Sequence, residues 1–246
     1  MKLGIILFII FISNLAWAQV NVEPLRARLD DSGFGAELAG SLGTKGGNKQ
    51  QLDFGGDLLV GGKIGPHLAY INGAISYERR HGDVHEEESF VHARYNLELA
   101  SWFWWEAFAQ RVTDEFRYAT RQDLLGTGPR VGSRGEVFSI FYGTSYMAEW
   151  LLLPEETATP QLFHRWNNYA STMVKYETMT ASLTVYYQPR FDAFEDYYLL
   201  AVPSLRFAVN SFLSSSVSGE VYYASVPFPG EVPLDYAVRN SLEISF

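Results

Sequence analysis

Tyr236-Ala-Val-Arg-Asn-Ser-Leu-Glu-Ile-Ser-Phe246 is the stretch from which the fold can be read. Tyr236, Val238, Leu242, Ile244 and Phe246 alternate with Ala237, Arg239, Ser241, Glu243 and Ser245, and Asn240 alone breaks the apolar register. Side chains on a strand point to opposite faces with a period of two. This strand therefore offers hydrocarbon to one side and charge or hydroxyl to the other. A closed transmembrane barrel uses such a strand with its apolar face in lipid and its polar face on a wet lumen.

The opposite end of the chain agrees. Met1-Lys2 precedes an apolar run from Leu3 to Ile12, and Ala16-Trp17-Ala18 brings small residues to a cut before Gln19. That is the pattern of a secretory leader, and the run falls short of the ~20 apolar residues of a spanning helix. No cysteine follows, so neither a lipid anchor nor a disulfide is expected. Loss of Lys2 with the leader takes the formal charge from −9 to −10, a balance that argues against nucleic acid. Beyond residue 18 no run is long and apolar enough for a helix, so any crossing must use strands. The organisation expected is a leader over 1–18, a periplasmic segment over 19–32 and a barrel over 33–246. Val22, Leu25 and Leu29 share one helical face, so Asn21 to Asp31 reads as a short helix or arm.

From Gly33 onward, turn signals recur at the spacing of membrane-length strands. Tight ones fall at Gly61 to Pro66, Ala100-Ser101, Ser133 to Gly135, Glu177-Thr178 and Asn210 to Ser214. Longer or more charged ones fall at Thr44 to Lys49, Arg80 to Glu88, Thr113 to Phe116, Pro154 to Pro160, Arg190 to Glu195 and Val226 to Pro233. The two sets alternate strictly. Eleven connections give a twelve-stranded antiparallel up-and-down barrel, all-β, with short turns on one side and modest loops on the other. The loops are modest, so neither a large extracellular domain nor a long folded-in constriction loop is expected. The last strand is expected to close on the first near Phe34 to Leu42.

Individual strands carry the same two faces. Val91, Ala93, Tyr95, Leu97 and Leu99 alternate with His92, Arg94, Asn96 and Glu98. Arg or Lys at the lipid-facing midplane costs about 2–4 kcal/mol. Arg94, Glu98, Glu106, Gln110, Glu149, Arg239 and Glu243 are accordingly placed on the lumen. Aromatic bunches at Trp102 to Trp105, Tyr186-Tyr187, Tyr197-Tyr198 and Tyr222-Tyr223 suit the girdles at the two headgroup layers.

The block from Arg94-Tyr-Asn-Leu-Glu-Leu-Ala-Ser-Trp-Phe-Trp-Trp-Glu-Ala-Phe-Ala-Gln110, continuing through Phe116-Arg117 to Leu124-Leu-Gly-Thr-Gly-Pro-Arg130, resembles the salt-induced outer-membrane proteins. That bacterial family is defined by a domain of unknown function, and the turn at Gly46-Gly-Asn48 is similar to its first hairpin. The resemblance implies a barrel in the outer membrane of a Gram-negative bacterium and no activity. The terminal strand also resembles the one that barrel assembly machinery reads, with Tyr236, Val238, Leu242, Ile244 and Phe246 as the signal.

Catalytic chemistry finds little to use. A serine hydrolase needs a His beside a nucleophilic Ser. None of His67, His81, His85, His92 or His164 has a Ser two positions on, and Ser89 lies among acidic residues. Asp192 and Asp196, or Asp83 with His81 and His85, could pair at a rim as in barrel proteases. A solvated loop explains the same residues more simply. His81, His85 and Glu86 are the candidate metal ligands, again against an acidic solvated loop. No cofactor is expected. The leading expectation is a narrow channel for small solutes or ions, monomeric, held in outer-membrane lipid and lipopolysaccharide. The alternative is a non-conducting barrel that stabilises the envelope or binds at the surface.

Overall fold

The structure is a computed structural model and describes residues 33–45, 51–116, 118–153, 159–210 and 213–244. The leader and the short helix expected before Asp31 lie outside the described residues. The first half of the chain forms β1 (Phe34–Lys45), β2 (Gln51–Ile64), β3 (His67–Arg80), β4 (Asp83–Ala100), β5 (Phe103–Asp114) and β6 (Arg121–Arg134). The second half forms β7 (Phe138–Leu152), β8 (Gln161–Tyr176), β9 (Met179–Pro189), β10 (Tyr197–Ala208), β11 (Leu213–Ala224) and β12 (Leu234–Ile244). Each strand is antiparallel to its sequence neighbours, in one sheet ordered β1 through β12. The sheet is rolled: Tyr118, between β5 and β6, stacks on Phe228, between β11 and β12. Six strands separate those connections, so the contact spans the roll.

Period two sets the packing. On β2, β3, β4 and β6 the residues Phe54, Leu58, Ile71, Ile75, Val91 and Leu125 all stand exposed on the outer face. Their inner-face neighbours are buried and mostly polar, among them His92, Arg94, Asn96, Glu106, Gln110 and Gln122. This inverts a water-soluble barrel, which would bury the aliphatic face. Short connections gather at one end of the roll, at Gly65-Pro66, Ser101-Trp102 and Glu177-Thr178. The longer ones gather at the other end, and the two ends are named here the turn end and the loop end.

One expectation is corrected and a second is narrowed. Arg80 to Glu88 is not a long loop: His81 and Gly82 make a two-residue turn, and Asp83 onward belongs to β4. Both central residues have positive φ, 51° at His81 and 97° at Gly82, the signature of the tight turn that matches strand twist. A bulge follows at Glu78/Arg79, absorbing the extra residue. The aromatic doublets divide between the faces, because neighbours on a strand point opposite ways: Tyr187, exposed outside, lies in a row with Tyr197 and Tyr223, while Tyr186 and Tyr198 are buried inside.

Candidate functional site in the barrel interior

The inner face holds two buried ion-pair networks. In the first, Glu106 on β5 receives Arg94 Nη1 at 3.4 Å, Arg130 Nη1 at 3.6 Å and the Tyr169 hydroxyl at 2.6 Å. The two guanidinium groups also lie over rings: Arg94 over Phe108 at 5.2 Å and Arg130 over Phe141 at 3.8 Å. Arg suits such a place because its planar fork stacks and donates at once.

The second network centres on Glu149 of β7, which is fully buried. It accepts Gln122 Nε2 at 2.5 Å and Arg165 Nε at 2.5 Å. Arg165 continues to the Gln188 carbonyl at 3.1 Å and to Asp196 at 3.3 Å, and lies over Tyr198 at 3.8 Å. Arg190 then binds Asp196 at 3.0 Å and Asp192 at 2.7 Å. A chain of alternating charge thus runs from the interior into the β9–β10 connection. The hydrogen bond from Arg190 holds the Asp192 carboxyl below its usual range.

Glycines let the rings of this wall lie flat. A Cβ on Gly126 would meet the Phe108 ring at 2.3 Å, and one on Gly143 would meet the Tyr169 ring at 2.2 Å. Tyr169, Tyr186, Leu200 and Val202 continue the packing, with Tyr222 against them. From β4 to β9, then, the inner wall is thick with buried side chains, and its packing runs on to Leu200 and Val202 of β10 and Tyr222 of β11.

The facing wall is thinner in part. On β10 to β12 and β2 the inner face mixes small half-buried residues, Ser204, Ser216, Ser218, Ala237 and Gly55, with larger ones: Leu200, Val202 and Leu59 are buried, and Arg206 donates to Ser214 at 2.8 Å. Towards the loop end carboxylates gather on the inner face of β2 to β5, with Asp53 opposite Glu78 and Glu88 opposite Asp114. All four are half-buried. Like charges directly across a sheet repel; the Arg80 guanidinium answers Glu78, and Asp114 Oδ1 accepts Phe116 N at 2.9 Å. At the turn end Lys63 pairs with Glu98 at 3.2 Å, beside a cavity of about 10 Å³ that Asn96, Trp104, Arg130 and Arg134 also line. That is room for about one water.

Of the residues placed on the lumen from sequence, Arg94, Glu106, Gln110 and Glu149 are buried in the thick wall, and Glu98 stands at the turn end. Gln110 Oε1 lies 3.1 Å from His92 Nδ1. Arg239 and Glu243 pair in register with Ser218 and Ser214, and their side chains lie outside the described residues, as do those of Leu242, Ile244 and Phe246. Tyr236 and Val238 are exposed. Sequence reading missed Arg130 and Arg165, though extending each strand's register by two residues at a time would have found both.

His81 and His85 are exposed, the Glu86 side chain is outside the described residues, and no group of three or more metal-binding side chains occurs among the described residues. The hydrogen bonds formed by His67 and His164 go to Tyr95 and Tyr146, while Asp192 and Asp196 pair with arginines. Neither the Ser–His nor the Asp–His arrangement considered from sequence is assembled by these contacts. Ser89 instead shares a hydrogen bond with Thr113 at 2.5 Å.

Residues 37–132, spanning β1 to most of β6, match a family model described as a protein of unknown function, DUF481. Among curated proteins, none matches the sequence. Among solved structures, the chain is similar to the KdgM porin at 11% identity and a TM-score of 0.49, over 80% of this chain and 96% of that one. It is also similar to the NanC porin at 6% identity and a TM-score of 0.51, over 86% of this chain and 99% of that one. At such identity the likeness to the NanC porin is one of fold, and it extends across nearly the whole of that structure.

Proposed function

We propose that this protein is an outer-membrane β-barrel of a Gram-negative bacterium that acts as a narrow channel for small solutes or ions. The outer face supports the location. Monomeric soluble proteins rarely expose contiguous apolar patches beyond a few hundred Å², whereas here the exposed side of strand after strand is aliphatic or aromatic. In this reading the loop end faces outward and the turn end the periplasm. The strand from Tyr236 to Phe246 directs assembly and closes on β1, and lipid with lipopolysaccharide surrounds the barrel.

Twelve strands fall between the eight that side chains fill and the sixteen that leave an aqueous channel. The observation that carries the channel reading is the asymmetry of the interior. The thick wall consumes much of the lumen, and the half-buried serines and glycine opposite leave a strip for water. A passage running beside Ser204, Ser216 and Ser218 is eccentric and narrow, with Asp53, Glu78, Glu88 and Asp114 favouring cations at its entrance. Purified protein in planar bilayers gives small, reproducible conductance steps on this account; persistently silent membranes rule it out.

One observation favours the non-conducting alternative, in which the barrel stabilises the envelope. Buried side chains fill the thick wall, and the loop end is bridged by Tyr118 and Phe228. That reading predicts silent bilayers, together with detergent sensitivity of cells lacking the protein.

A further inference from the structure

Two short connections, distant in sequence, meet at the loop end. Tyr118 sits in the connection after β5 and Phe228 in the connection after β11, on opposite sides of the loop end. Their rings stack with centroids 5.5 Å apart and planes 22° from parallel. Phe228 also packs on a cluster formed by Ala119, Leu151, Leu153 and Phe163, of which Ala119 and Leu151 are buried.

Both partners are held by their own chain chemistry. Phe228-Pro229-Gly230-Glu231 forms a turn in which Glu231 N donates to the Phe228 carbonyl at 3.0 Å. Gly230 has φ of 86°, and proline before such a glycine is the preferred pair for a type II turn. Pro227 and Pro233 flank the turn and stiffen the arm further. On the facing side Thr120 N donates to the Leu152 carbonyl at 3.0 Å, and Asp114 N to the Thr120 carbonyl at 3.1 Å, so Tyr118 is rooted on β5 and β7. A preformed arm meets an anchored platform, and the contacts seen between them among the described residues are apolar. Such a contact is non-directional and breaks without orphaning a hydrogen bond.

We propose that the Tyr118–Phe228 contact is the size-selective gate of the outer mouth. Solutes larger than the gap beside the paired rings enter only when the β11–β12 arm lifts from the β5–β6 platform. The inference rests on the channel reading and adds the residues that set its size limit.

Swelling of proteoliposomes in neutral sugars of increasing length tests it. The full-length protein is compared with Tyr118→Ala, with Phe228→Ala and with Val232→Ala as an exposed control on the same loop. Phe228→Ala and Tyr118→Ala are expected to admit a longer sugar than wild type and to raise the rate for the shortest about tenfold, the effect of losing a buried aromatic contact. Val232→Ala behaves as wild type. Since the chain contains no cysteine, Tyr118→Cys/Phe228→Cys can be bridged by a short bifunctional thiol reagent. Bridging should lower the size limit below that of the unbridged double variant, and a cleavable reagent should restore it. A wild type that conducts, with size limit and rate unchanged in the alanine variants and on verified bridging, overturns the gate and leaves the channel standing. Silence in every variant, with β-sheet circular dichroism intact, overturns gate and channel together.

Discussion

The wall from β4 to β9 and the wall from β10 round to β2 solve the same problem in opposite ways. Both present polar side chains inward and hydrocarbon outward. The first pairs its charges: Glu106 and Glu149 are each surrounded by donors, and the guanidinium groups of Arg94, Arg130 and Arg165 rest on rings. The second alternates small residues, Ser204, Ser218 and Gly55 among them, with a few larger ones such as Arg206, which donates to Ser214 at 2.8 Å. The contrast teaches that a polar lumen face does not by itself indicate a passage. Long charged side chains close space by pairing, whereas Ser216, Ser218 and Gly55 leave it open.

If the thick wall is structural, its members should be costly to remove and those of the thin wall cheap. Glu149→Ala takes from the buried Arg165 its shortest ion pair and leaves it Asp196 and the Gln188 carbonyl, at a cost of up to about 3–5 kcal/mol, the range for breaking a buried pair. Ser218→Ala should cost less than ~0.5 kcal/mol. Reversible denaturant unfolding in lipid or detergent measures both, and equal costs would break the comparison. A smaller loss is expected for Gly143→Ala. Its methyl group would strike the Tyr169 ring, and that ring cannot retreat freely while its hydroxyl donates to Glu106. Overpacking of this kind costs about 1–3 kcal/mol, and the Tyr169–Glu106 hydrogen bond should weaken with it.

The thin wall and its acidic entrance should instead govern flux. Asp53→Asn with Glu88→Gln leaves the fold intact and reduces preference for cations, read as a reversal potential across a salt gradient. The difference should be clear near 0.01 M salt, where the screening length is about 30 Å, and vanish near 1 M, where it is about 3 Å. The smallest effect belongs to the surface end of the charge chain. The Asp192 carboxyl titrates below its ordinary value because Arg190 hydrogen-bonds to it. Its contribution to holding the β9–β10 loop is therefore complete above the ordinary carboxylate range and is lost as pH falls through the lowered value. Solvent screening keeps the effect small. An NMR titration should return Asp192 to the ordinary range in Arg190→Gln and leave it depressed in the parent protein.

Much of this was legible from period two and from turn residues. The twelve strands follow from turn signals such as Gly65-Pro66 and Glu177-Thr178, and the inward positions of Arg94, Glu106, Gln110 and Glu149 follow from alternation. The tyrosine doublets were read as wholly outward because clustering along the chain was given more weight than that same alternation, which turns Tyr186 and Tyr198 inward. Arg80 to Glu88 was misread because its charge masked a His-Gly turn. What no local pattern could give is tertiary: that Arg165 answers Glu149 from the neighbouring strand, that Tyr169 reaches Glu106 from three strands away, and that Tyr118 meets Phe228 across six. Those contacts depend on how tightly the sheet rolls, which is a property of all its strands together.

The central claim is a passage along the thin wall, and single-channel recording tests it most directly. Wild type should show small uniform conductance steps in planar bilayers, and Ser218→Trp, which fills the thin wall without touching either ion-pair network, should cut the step size sharply at unchanged stability. Silent wild-type membranes, or a step size that Ser218→Trp leaves unaltered, would contradict the account.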